Sequence, residues 1–152
     1  MTQEVAEIVA AIEGHHAAMV QELAARAAVV VETDGGEARE RARHELVAYI
    51  DGELLPHAQA EEATLYARGA DDPGLATLVA SMIREHEVLK SLRDDLARGP
   101  GRTALLLRTG AFTGLFETHA AKENEFLVPG LVAAGVDIGA LLGALREELI
   151  GH

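Results

Sequence analysis

Three clusters of turn residues cut this chain into four long stretches, and that division leaves few folds open to it. The clusters are Glu32-Thr33-Asp34-Gly35-Gly36, Gly69-Ala70-Asp71-Asp72-Pro73-Gly74 and Gly99-Pro100-Gly101, and each separates segments whose apolar residues recur at helical spacing. Helices are predicted at about 3–31, 37–68, 74–98 and 102–128. Asp72 is placed to cap the third, with Pro73 at its first position. Pro129-Gly130 closes the fourth, and a short amphipathic tail helix follows at about 137–149. Short loops between long helices make neighbours antiparallel. The expected fold is therefore all-α, an up-down-up-down four-helix bundle with a short C-terminal helix, in one domain spanning 1–152. Aromatic residues are only 3% of the chain, and Ala, Leu and Val supply most of its apolar side chains, a composition suited to close helix packing.

Charge and cysteine usage narrow the function. A formal net charge of −12, with Lys and Arg scattered along the chain, repels nucleic acid phosphates and anionic membrane surfaces. The absence of cysteine excludes disulfides, thiolate zinc sites, Fe–S clusters and Cys nucleophiles, leaving nitrogen and oxygen as the only metal donors. The N-terminus is acidic and amphipathic, and no apolar run reaches the roughly 20 residues that cross a bilayer, so a cytoplasmic location is expected.

Helical periodicity sends several histidines inward. In the second helix Leu46, Ile50, Leu54, His57, Glu61 and Leu65 share one stripe, while Glu62 points away. In the fourth, Leu105, Phe112, Phe116, His119, Glu123 and Phe126 do the same, with Asn124 and Glu125 outward. The first helix offers adjacent histidines; Val5, Val9, Ile12, Val20 and Leu23 share a face with His16, which makes His16 the core residue and His15 a surface neighbour or an alternative ligand. Leu75, Val79, Met82 and Ile83 share a face with His86, which Lys90 and Arg93 then interrupt. Counting from each loop at about 1.5 Å per residue puts all six groups level to within about a turn. Tyr66 falls opposite His57 on the wheel, and His44 and His152 are expected in solvent.

Two carboxylates and four imidazoles in an apolar core cost several kcal/mol per unpaired ion unless positive charge compensates them. Imidazole and carboxylate donors without sulfur suit iron, manganese or zinc. Two Glu bridging a pair of ions, with two His on each, accounts for all six. A ferritin-like site needs Glu-x-x-His on two helices, and Glu13-x-x-His16 is the only match here.

At these residues the chain resembles the haemerythrin family, in particular its HHE cation-binding branch. The resemblance covers about residues 5–130 and is carried by His57-Ala-Gln-Ala-Glu61-Glu62-Ala-Thr-Leu65-Tyr66 and His119-Ala-Ala-Lys-Glu123-Asn-Glu-Phe-Leu127-Val-Pro129, with Ile12-Glu-Gly-His-His16 and Arg84-Glu-His86-Glu in support. It implies a left-handed four-helix bundle holding two non-haem iron ions, joined by an oxo or hydroxo group, that bind O2, NO or peroxide for sensing, storage or scavenging. By matching positions His16 and His57 serve one iron, His86 and His119 the other, and Glu61 and Glu123 bridge them. Oxygen carriers of the family have a further His where Lys90 stands, and an Asp where Asn124 stands. One iron is thus expected to be left with an open position, which favours chemistry or sensing over simple oxygen carriage. Peroxide or NO turnover, and iron storage or iron sensing, are the competing functions.

Overall fold

A computed structural model describes residues 1–151; the expectation for His152 lies outside them. Five helical segments make up the fold: α1 (Gln3–Glu32), α2 (36–70), α3 (Ala76–Ala97), α4 (102–133) and α5 (Ile138–Ile150). The Thr2 hydroxyl accepts from Val5 N–H at 3.2 Å and the Asp137 carboxylate from Ala140 N–H at 3.0 Å, satisfying otherwise unpaired donors at the starts of α1 and α5. The second loop departs from its expectation. Asp72 bonds Gly74 N–H at 2.8 Å within a tight turn, and regular helix begins only at Ala76.

The four long helices form a ring in which α1 packs on α2 and α4, and α3 packs on the same two. The fifth helix lies across α1 and the middle of α2 and also touches the end of α4. Inside the ring are two apolar clusters, one containing Leu23, Leu46, Leu96 and Phe112, the other Val79, Met82, Leu127 and Leu131. Among the described residues, no helix is long and apolar enough to cross a membrane.

Two of the long helices are not uniform. In α2, α-helical Gly36–Tyr49, Leu55–Glu61 and Ala67–Ala70 alternate with π-helical turns at Ile50–Leu54 and Glu62–Tyr66. In α4 a π turn at Glu123–Leu127 separates Arg102–Lys122 from Val128–Ala133. A π turn widens the backbone ring by one residue, and it lets proline stay in a helix by skipping the hydrogen bond that proline cannot donate. Pro56 and Pro129 are each the second residue after a π turn, and the helix continues past both: α2 runs on through Pro56, and Pro129 does not end α4, which runs on to Ala133.

The extra residue also rotates everything after it by about 100° relative to a plain α-helix. Phe126, expected in the apolar stripe, is 56% exposed, and Leu127 is fully buried in its place. Tyr66, expected opposite His57, is turned into the core and is 1% exposed. Truncating Leu127 to Ala is therefore expected to destabilise the protein by about 2–5 kcal/mol. Phe126→Ala should change stability by no more than about 0.5 kcal/mol. Urea unfolding of the two variants checks this, and the reverse order would mean that α4 keeps α-helical register through residues 123–127.

Candidate metal centre

Between the two apolar clusters lies one polar layer. His16, His57, Glu61, His86, His119 and Glu123 are each no more than 3% exposed. They come from all four long helices, His57 with Glu61 from α2 and His119 with Glu123 from α4. The i,i+4 spacing puts each His and its Glu on one face, and the π turns begin at or immediately after the two glutamates.

The donor atoms converge. All four histidines turn Nε2 toward the carboxylates. Glu61 Oε1 lies 2.6 Å from His57 Nε2 and 3.5 Å from His16 Nε2, while its Oε2 lies 3.7 Å from His86 Nε2. Glu123 Oε2 lies 3.3 Å from His16 Nε2, and its Oε1 lies 3.0 Å from His119 Nε2. Each carboxylate thus sends one oxygen toward each end of the layer. Two overlapping groups could each hold a cation, His16–His57–Glu61 and Glu61–His86–His119–Glu123. The space among all six side chains is about 10 Å³, roughly what one water-sized probe occupies.

The hydrogen bonding behind the imidazoles decides what that space suits. His86 Nδ1 lies 2.7 Å from Glu62, His119 Nδ1 2.6 Å from Glu85 and His16 Nδ1 2.7 Å from the Asn124 amide oxygen. With Nδ1–H donated to those acceptors, a neutral ring presents a lone pair at Nε2. The Nε2 atoms of His86 and His119 nonetheless stand 2.9 Å apart. Both ring nitrogens of His57 and Oε1 of Glu61 are buried without a hydrogen-bond partner, although His57 Nε2 and Glu61 Oε1 are close. Buried nitrogen and oxygen atoms that approach without pairing fit a shared cation.

Neighbouring charges set the protonation of the metal-free layer. Burial pushes the His16 imidazole down, but the nearby Glu61 carboxylate and the charge of Glu123 outweigh it and lift its pKa to about 9. His119 is raised against the same burial by Glu123 and Glu85. Burial and His119 together push His86 down. Burial also tends to raise the Glu61 carboxyl, but His57 and His16 hold it well below the usual carboxylate range.

The structure turns inward the six side chains that periodicity sends inward, but it surrounds them differently. His15 is on the exposed side of α1, its ring centroid 5.0 Å from that of His57, and only His16 enters the layer. Glu62 and Asn124, expected to face away, reach His86 and His16. The periodic reading also missed Tyr66. Its hydroxyl donates to Glu123 and lies 2.8 Å from His119 Nε2 and 3.4 Å from His86 Nε2. Burial and the charges of Glu123 and Glu61 push this phenol far above its ordinary pKa, so it remains a donor. Lys90, where an oxygen carrier has histidine, is exposed.

A raised histidine contributes stability that is complete below its unfolded pKa and lost as pH rises through its folded one. For His16 that window runs from 6.5 to about 9. His86, pushed down, opposes folding only below about 6.5. Thermal unfolding in a chelator is expected to show metal-free protein losing stability from pH 6.5 to 9. A cation that displaces the proton should flatten that slope, and rising stability across the window would contradict the assignment.

A search of curated proteins and a search of solved structures each return no match. The family model for the hemerythrin HHE cation binding domain matches residues 7–104, which include His16, His57, Glu61 and His86. His119 and Glu123 lie beyond the matched segment, and it is the fold that brings them to the same layer. The chain belongs to the hemerythrin HHE cation-binding domain family.

Proposed function

We propose that the protein holds two iron ions in this layer and through them binds a small molecule, O2, NO or peroxide. The carrying observation is that Glu61 and Glu123 each direct one oxygen to each histidine pair. In this reading His16 and His57 hold one ion, His86 and His119 the other, both carboxylates bridge, and the four long helices alternate up and down around them. Donors of this kind also accept manganese or zinc. When bound, an iron pair supplies Lewis acidity and reversible electron transfer.

The chain's own groups do the positioning. Tyr66 donates to Glu123, fixing that carboxylate, and sets a phenol oxygen at the His86–His119 end. The more open approach is at the other end of the layer. There a cavity of about 300 Å³ between α1, α2 and α5 reaches His16 and His57, walled by Ile12, Leu65 and Leu145. That volume is at the lower limit for small-molecule sites, and its apolar lining suits uncharged diatomic ligands or peroxide more than large polar ones.

Anaerobic loading with Fe(II), followed by air, tests the reading. Two irons per chain and a new near-ultraviolet to visible absorption on admitting air are expected. Full loading with an unchanged spectrum would refute O2 binding. Glu61→Ala, which removes a group common to both candidate cation sites, should reduce loading to one iron or fewer by metal analysis. Retention of two would refute the bridging role.

A further inference from the structure

All four imidazoles point inward alike, but what stands behind them differs between the two ends of the layer. Behind His86 is the Glu62 carboxylate at 2.7 Å, and behind His119 is Glu85 at 2.6 Å, itself paired with Lys122 at 2.5 Å. Behind His16 stands only a neutral amide, Asn124, and His57 Nδ1 has no partner at all. A carboxylate accepting from the outer N–H of a ligating histidine fixes its tautomer and makes it more basic. Losing such a partner typically costs about 10–100-fold in metal affinity.

Access differs in the same direction. Besides the cavity of about 300 Å³ under α5, a second of about 260 Å³ reaches His57 past Gly52, Glu53 and Pro56. Leu149 of α5 lines both. At the other end Tyr66 stacks on His86 with ring centroids 5.1 Å apart, and both are 1% exposed. The two bridging carboxylates sharpen the contrast, because a cation already held by them leaves less negative charge for the next.

We propose that the two cation positions are unequal by construction: the His86–His119 position, backed by Glu62 and Glu85, fills first and retains its ion, and the His16–His57 position beside the α5 cavity is the exchangeable one. This rests on the six-residue layer holding two cations. It makes the singly loaded protein a distinct species, and occupancy of the second position then follows the free concentration of the divalent cation. Glu62 and Glu85 are positioning residues that act through His86 and His119.

Titrating the metal-free, full-length protein with Co(II) under nitrogen, read by visible absorption and calorimetry, tests this. Two steps of one equivalent each are expected, the first tighter. Glu62→Gln and Glu85→Gln keep the shape and an acceptor but remove the charge; each should weaken the first step by about 10-fold or more and leave the second unchanged. Asn124→Ala should weaken the second step alone. A purely structural defect would weaken both steps together. One merged step of two equal sites, or a Glu85→Gln effect on the second step, would overturn the proposal. Failure to take up cobalt at all would instead refute the two-cation reading beneath it.

Discussion

Everything in this molecule is arranged around the burial of two carboxylates and four imidazoles between two apolar clusters. In an apolar interior those groups cost several kcal/mol each unless something positive compensates them. In the metal-free state protons on His16 and His119 supply part of the compensation, which is why both imidazoles are raised despite burial. Protons leave part of the layer unsatisfied, because both ring nitrogens of His57 and Oε1 of Glu61 keep no hydrogen-bond partner. A cation held among these side chains would supply the missing positive charge and pair those atoms.

The π turns are the backbone's contribution to that arrangement. Without the turn at Glu62–Tyr66, Tyr66 would lie on the far side of α2 from His57; with it, the phenol sits over Glu123 and His119. The matching turn at Glu123–Leu127 buries Leu127 and Val128 and expels Phe126. Wide turns forfeit regular hydrogen bonding and tend to persist where they place functional groups. Here two of the three start at the layer's glutamates or one residue beyond them.

The layer also has a direction. Charged acceptors and a stacked tyrosine close the His86–His119 end, while a neutral amide and two cavities mark the end of His16 and His57. The fifth helix, which contributes none of the six residues, shapes that second end through Leu145 and Leu149. The inner donors are nearly symmetric, two histidines at each end and two shared carboxylates. The difference between the ends therefore comes from what surrounds those donors.

The helices, their connections and the six inward polar residues were legible in the sequence, because turn residues and the repeat of apolar side chains along a helix are local properties of the chain. Periodicity alone separated His16 from His15, since only one of two adjacent residues can face the core. It failed at Tyr66, Phe126, Glu62 and Asn124 for two reasons. A single residue inserted into a helical turn moves every later side chain by about 100°, and no motif quoted from the chain announces that insertion beyond the prolines at 56 and 129. Long side chains on one helix also choose acceptors on another, as Glu62 does with His86 and Asn124 with His16. The sequence by itself determined which groups had to be buried together. Only the tertiary structure decided which of them are backed by charge and which are left open, because those partners are joined through space by packing between helices.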